Sequence, residues 1–223
     1  FCYNINRDIP IKIDNSKKIL SLVYIDDVIH HFIEVMDNPN KNKLYNGLNF
    51  IKPIYNITVG DLAKKIYSFR EIRNTNVMER VGTGFIRALY STYISYMSEK
   101  QFSYALTANK DSRGKFVEIL KTPDCGQFSY FTVLPNSNRG GHYHHSKTEK
   151  FLIINGVACF KFVNLITSEK YEIIVNSNNP EIVETIPGWS HSITNIGKEE
   201  LIAMLWSNEI FNPKKPDTYS FEL

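Results

Sequence analysis

Cysteine is scarce in this sequence. Cys2, Cys125 and Cys159 are the three among 223 residues, they lie far apart, and none belongs to a C-x-x-C pair. That excludes a disulfide framework and a cysteine-held zinc site, and it suits a reducing, cytoplasmic setting. No apolar run approaches the roughly 20 residues that cross a bilayer, and no basic-apolar-small pattern opens the chain, so no membrane association is expected. Positive charge is not gathered into blocks. The 26 Lys and Arg are interspersed with 23 Asp and Glu for a net charge of +3, which leaves no electrostatic footprint for nucleic acid. Also missing are G-x-G-x-x-G, G-x-x-G-x-x-G and any other glycine-rich phosphate loop, so the chain is not expected to hold a dinucleotide by itself. It begins at Phe1 with no start signal, which predicts a fragment of something longer.

What is present is an ordinary globular composition, 43% hydrophobic, enough for a sizeable core. Residues 9–13 and 18–24 are short and alternating, as strands are. Asp26 or Asp27 then caps a helix carrying Val28, Ile29, Phe32, Ile33 and Met36, which Asp37-Asn38-Pro39-Asn40 ends. A strand over 44–57 and a helix after Thr58 with Leu62, Ile66 and Phe69 on one face follow. Polar residues 72–80 and then Gly82 and Gly84 mark a boundary, and residues 85–97 have helical spacing. From residue 100 the texture becomes β, with short runs at 102–107, 115–121, 128–134, 150–154, 157–163, 170–175, 181–186, 191–196 and 201–206. Such a series predicts an antiparallel sandwich or barrel. The expected organisation is an α/β segment over 1–78, a linker helix over 79–99 and a β domain over 100–223.

Three of the six histidines fall in Arg139-Gly-Gly-His142-Tyr143-His144-His145. Strand side chains alternate with a period of two, so His142 and His144 share a face and can present two imidazoles to one metal or one substrate. Glu149 follows within reach, and Asn155-Gly156 predicts a hairpin turn that needs positive φ. Downstream, Pro187-Gly-Trp-Ser-His191 and Asn195 form a second cluster.

These two stretches resemble the paired motifs of the cupins. His142-x-His144, Glu149 and Gly156 match the first motif. Pro187, Gly188, His191 and Asn195 match the second, one residue short between Pro and His. The implied fold is mainly β, a cupin jelly roll (double-stranded β-helix). In metal-bearing cupins the residues matching His142, His144, Glu149 and His191 converge on one divalent ion. Zinc is the expected metal, although three imidazoles and a carboxylate also suit iron, manganese or nickel. Asp111-Ser-Arg113-Gly-Lys-Phe-Val-Glu118 and Arg139-Gly-Gly-His142-Tyr143 are similar to motifs of the 4-keto-6-deoxyhexose 3,5-epimerase cupins. That likeness implies nucleotide or diphosphate contacts for Arg113, Glu118 and Arg139 and makes the residue matching His142 a general base.

Leu22-Val-Tyr-Ile-Asp-Asp-Val-Ile29 resembles a segment near the end of extended short-chain dehydrogenase/reductase domains, so the cupin is preceded by a small α/β remnant of such a domain. No catalytic residue is carried over from it. Reductase remnant and cupin together resemble the CapF family of bifunctional capsular polysaccharide enzymes. The resemblance implies C3 epimerisation of a UDP-2-acetamido-2,6-dideoxy-4-hexulose by the cupin, followed in the full-length parent by NADPH-dependent reduction at C4.

Two roles then compete for His142, ligand and base. Deprotonation beside a ketone needs both a base and an electrophile at the oxygen; a ligated His142 leaves Tyr143, Tyr130 and His145 as unranked bases. The leading reading is a nucleotide-sugar epimerase with a UDP-sugar substrate, pairing as a homodimer through the cupin. The alternatives are a non-catalytic metal-binding dimerisation module and a metal-dependent dioxygenase built on the same ligands.

Overall fold

The computed structural model describes residues 1–38 and 50–221. The chain forms two compact units, Phe1–Asn74 with Glu79–Ser103, and Thr75–Met78 with Tyr104–Leu223. The first contains α1 (Cys2–Asn6), β1 (Ile19–Leu22), α2 (Ile25–Asp37), β2 (Tyr55–Thr58), α3 (Val59–Thr75) and α4 (Gly84–Ser95). β1 and β2 pair antiparallel. Thr58 Oγ1 accepts the Asp61 N–H at 3.1 Å and so satisfies one of the free donors at the start of α3. Leu62, Ile66, Phe69 and Ile72 are buried along α3 together with Leu89 and Tyr93 of α4, and the rings of Phe69 and Tyr93 lie 5.9 Å apart.

Several local expectations fail in this unit. Residues 9–13 form no strand. Pro10 has no N–H to give a ladder, and the Ile9 N–H is turned back onto the Asn4 carbonyl at 2.9 Å. Asp26 and Asp27 do not cap α2. They occupy its first turn, beyond the N-cap Tyr24, where their charge still complements the helix dipole. Of the strand expected over 44–57, residues 44–49 lie outside the described residues, as do Pro39 and Asn40 of the helix stop; the described strand is Tyr55–Thr58.

No residue of α2 is buried, and Ile25, Ile29, Phe32, Ile33 and Met36 make an apolar stripe that nothing covers among the described residues. A helix without a packed face has little beyond its own weak propensity to hold it. Limited proteolysis is therefore expected to cut within residues 25–37 well before it cuts within 114–207. Equal resistance of both regions, with the chain shown to be monomeric, would contradict this.

The second unit is β throughout. It comprises β3 (Ala108–Asp111), β4 (Gly114–Thr122), β5 (Gly126–Val133), β6 (Asn138–Tyr143), β7 (Glu149–Asn155), β8 (Val157–Asn164), β9 (Lys170–Asn176), β10 (Ile182–Thr185), β11 (Trp189–Asn195), β12 (Leu201–Ser207) and β13 (Tyr219–Ser220). One sheet has the order β10-β7-β12-β5-β4-β3, the other β13-β6-β11-β8-β9. Phe131, Val133, Phe151, Phe160, Val175, Ile193 and Leu201 fill the space between them. These positions point between the two sheets, as in a sandwich core, and their neighbours Thr132, Cys159 and Ser192 are buried as well. This is the jelly roll that the cupin motifs imply, and it is not closed into a barrel.

Two expectations for this unit are corrected. Residues 102–107 form no strand; a 3₁₀ turn over Glu99–Gln101, closed by a Ser98–Gln101 capping box, precedes an irregular stretch, and the ladder starts at Ala108. Asn155-Gly156 makes no hairpin. Gly156 does have φ +94°, but β7 and β8 lie in different sheets, so the turn carries the chain across the sandwich. No helix among the described residues is long and apolar enough to cross a membrane.

Candidate metal centre

The site is assembled from both sheets. β6 pairs with β11 so that His142 stands directly opposite His191, and a bulge follows between His191 and Ser192. At that bulge the two backbones approach closely. A Cβ on Gly140 would lie 2.7 Å from the His191 carbonyl oxygen, and φ there is +94°, so glycine is required. His144 sits just past the end of β6, with its ring 5.0 Å from that of His142 and 5.3 Å from that of His191. Glu149 opens β7 in the opposing sheet, so one carboxylate crosses the sandwich to meet three imidazoles.

Donor atoms of His142, His144, Glu149 and His191 all lie within 4.8 Å of one another. Glu149 Oε2 is 3.3 Å from His144 Nε2 and 3.3 Å from His191 Nε2. Metal–donor bonds of about 2.0–2.1 Å in a tetrahedral set place neighbouring donors about 3.3–3.4 Å apart. The residues therefore fit a divalent ion, and the nitrogen-rich donor set fits zinc among others. Burial, followed by the charge of His191, pulls the His142 pKa down to about 4, which keeps that ring neutral with a lone pair to offer. Burial works against the charge on Glu149, but its contacts with His144 and His191 and the nearby Lys147 outweigh it and hold the carboxyl well below its ordinary range. His144 Nδ1 donates to the Asp217 carbonyl at 2.5 Å, which directs Nε2 toward Glu149.

His142, Glu149 and His191 line a cavity of about 480 Å³, and His144 is not part of its lining. Phe116, Phe131, Phe151, Ile193, Leu205 and Phe211 supply its apolar wall. Arg113, Glu118 and Arg139 line it as well. Asp111 holds the two guanidinium groups together, accepting from Arg113 at 2.6 Å and from Arg139 at 3.2 Å. Hydrogen bonds from the Arg113 side chain and backbone keep the Asp111 carboxyl at about 2. Arg139 is fixed further by donating Nε–H to the Thr132 carbonyl at 3.0 Å. The two positive groups are therefore preorganised beside the metal-ligating cluster.

The structure does not bring every candidate together. Tyr143 and Tyr130 are not among the residues lining the cavity. Tyr143 stacks on Tyr219 at 5.3 Å, and His145 meets the same Tyr219 ring at 4.5 Å, on the outer side of β6. Tyr130 lies under the Lys115 ammonium. Conversely, Lys147, Ser207, Glu209 and Thr218 line the cavity and were not singled out from the sequence. Lys147 lies in the loop before β7, where strand alternation does not apply. The hydroxyl of Ser207 is buried with no hydrogen-bond partner among the described residues.

The family described as polysaccharide biosynthesis C-terminal domain matches residues 109–219. A curated relative from Pseudomonas aeruginosa, UDP-2-acetamido-2,6-beta-L-arabino-hexul-4-ose reductase, is 54% identical over 221 residues, which is 99% of this chain and 58% of the relative. The crystal structure of the capsular polysaccharide assembling protein CapF from Staphylococcus aureus superposes on the whole chain with a TM-score of 0.93 at 33% identity, the chain covering 64% of it. A second CapF structure, holding the inhibitor 3-isopropenyl-tropolone, gives 0.94 with the same identity and coverage. The chain thus spans about six-tenths of the length of these relatives, and over that span it belongs to the CapF family of polysaccharide-biosynthesis proteins.

Proposed function

We propose that the chain acts on a UDP-sugar in polysaccharide precursor synthesis and that its cupin inverts C3 of a UDP-2-acetamido-2,6-dideoxy-4-hexulose. The observation that carries this reading is one cavity lined by His142, Glu149 and His191 of the His₃Glu cluster and by a fixed arginine pair, Arg113 and Arg139. The arginines suit a diphosphate, since two guanidinium groups on a shared aspartate present several N–H donors without having to be ordered on binding. The apolar wall of phenylalanines excludes water from the sugar ring. A divalent ion in the cluster would supply Lewis acidity at the C4 carbonyl. The P. aeruginosa relative is named for acting on a hexul-4-ose, and a ketone at C4 is what makes the neighbouring C3 hydrogen acidic enough to be exchanged.

His142 serves this chemistry better as a ligand than as a base. Its ring faces those of His144 and His191 within the donor cluster, and a committed lone pair cannot also take the C3 proton. The C4 reduction with NADPH is not proposed for this chain. A second copy of the chain, paired through the cupin, is proposed as its partner. Tyr171 and Ile174 of β9, the end strand of its sheet, are exposed apolar residues available to such a contact.

The test is isotope exchange. Incubating the zinc-loaded chain with the 4-ketohexose substrate in D₂O is expected to place deuterium at C3, read by mass spectrometry or proton NMR. Substrate that binds but stays unlabelled at C3 would end the epimerase reading.

A further inference from the structure

We propose that Lys147 is the second electrophile of this site: its ammonium donates a hydrogen bond to the substrate oxygen that becomes negative when C3 is deprotonated. This rests on the epimerase reading above. Lys147 lines the cavity, and its side chain is 10% exposed. Its ammonium lies 3.4 Å from Glu149 Oε1 and donates to Thr218 Oγ1 at 3.2 Å. An ammonium has three donors. Thr218 takes one, the Glu149 contact is an ion pair, and a further N–H is available to a ligand in the cavity.

Charge complementarity points the same way. Without a metal, Lys147 neutralises the buried Glu149 carboxylate. With a divalent ion held by three neutral imidazoles and that carboxylate, the cluster has a surplus positive charge before the ammonium is counted. A buried site with such an excess is matched by an anion. The anion that arises during epimerisation is an enolate. C3 gives its proton to a carboxylate of the cavity lining such as Glu209, the C–H electron pair becomes the C3–C4 π bond, and the carbonyl π pair moves onto O4. Lys147 donates to O4 without losing its proton, a water molecule protonates C3 on the opposite face to restore the ketone, and the hydroxide left behind takes the proton held by the carboxyl group.

The position of Lys147 is imposed by the chain around it. Its backbone N–H donates to Asp217 Oδ2 at 2.8 Å. Lys147 lies in the loop just before β7, and with Glu149 and Phe151 of that strand it lines the cavity. A lysine without a partner in the fold extends its head into water; the Lys147 side chain is turned inward and largely buried.

The experiment compares wild type, Lys147→Met and Lys147→Arg as zinc-loaded full chains. The binding probe is tropolone, a monoanion that shares its charge between two adjacent oxygens as an oxygenated enolate does. Lys147→Met should bind tropolone roughly 10- to 100-fold more weakly, the loss expected for one hydrogen bond to a charged group, and C3 deuterium exchange should fall at least as far. Lys147→Arg should recover most of the tropolone affinity. Zinc affinity should be unchanged or higher in Lys147→Met, because a positive charge beside the cation is gone. Tropolone affinity equal to wild type, or zinc affinity lowered tenfold or more, would overturn the assignment. Should Lys147→Met fail to fold, Thr218→Val removes the hydroxyl that steadies the ammonium and should weaken tropolone several-fold; no change there would overturn it equally. Wild type without C3 exchange would instead sink the epimerase reading, and the tropolone comparison would still decide whether Lys147 binds an anion.

Discussion

Replacing Glu149 with Gln is expected to lower zinc affinity by at least about 100-fold and to destabilise the metal-free chain as well. The first effect follows from the donor set. Glu149 is its anionic member, and Oε2 lies 3.3 Å from both His144 and His191, so the change removes charge neutralisation and the bridge between sheets together. Loss of an outer-shell partner alone costs 10- to 100-fold in metal affinity, and loss of a ligand costs more. The second effect is separate from metal. In the metal-free chain Glu149 is the carboxylate paired with the buried Lys147, and breaking a buried pair by removing one partner costs about 3–5 kcal/mol. The lower end applies, because the Lys147 ammonium keeps Thr218 as an acceptor. Competition titration with a zinc chelator measures the first effect and urea unfolding in EDTA the second. Adding zinc should raise the thermal midpoint of wild type and leave that of the variant nearly unchanged. A variant with wild-type zinc affinity would mean that the cluster is not the metal site.

The four residues of the candidate metal centre could be named from the sequence on two grounds. Strand alternation puts His142 and His144 on one face, whereas Glu149 and His191 were implied by the resemblance to the cupin motifs. The same alternation carried information that was not used. If His142 and His144 point inward, Tyr143 between them points out, and the structure finds it stacked on Tyr219; Lys147, in the loop ahead of β7, carried no such signal. Asn155-Gly156 shows the limit of turn chemistry. Positive φ at Gly156 was foreseeable, but a glycine turn between two apolar runs looks the same whether the runs pair or enter different sheets. Residues 9–13 and 102–107 have strand-like composition without a partner to pair with, and pairing is decided by residues distant in sequence. Asp217 had no signal at all. It stands among Asn, Pro, Lys and Thr about 70 residues from the loop it holds, and only the fold brings them together.

That residue carries the second large effect. One Asp217 oxygen accepts the backbone N–H of Ser146 at 2.7 Å and of Lys147 at 2.8 Å, the other accepts that of His145 at 2.9 Å, and the Ser146 hydroxyl adds a fourth bond. Its own carbonyl accepts from His144 Nδ1. The carboxylate thus fixes the loop that carries Lys147, and the carbonyl fixes the orientation of a metal ligand. Asp217→Ala is expected to lower zinc affinity roughly 10- to 100-fold, the range for an outer-shell partner, while leaving all four ligands in the sequence. Asp217→Asn should fall between this variant and wild type, since an amide oxygen can accept some of these bonds without the charge. The sign of the pH dependence follows from the folded state. Although partial burial opposes the charge, the backbone donors prevail and hold the carboxyl well below its ordinary value. A depressed folded pKa contributes stability that is fully present above the unfolded value of about 3.9 and is lost as pH falls toward the folded one. The stability gap between wild type and Asp217→Asn, measured by urea unfolding without metal, should therefore be constant above about pH 5 and shrink steadily below about pH 4. A gap independent of pH down to 2.5, or zinc affinity unchanged in Asp217→Ala, would show that the loop keeps its shape without this carboxylate.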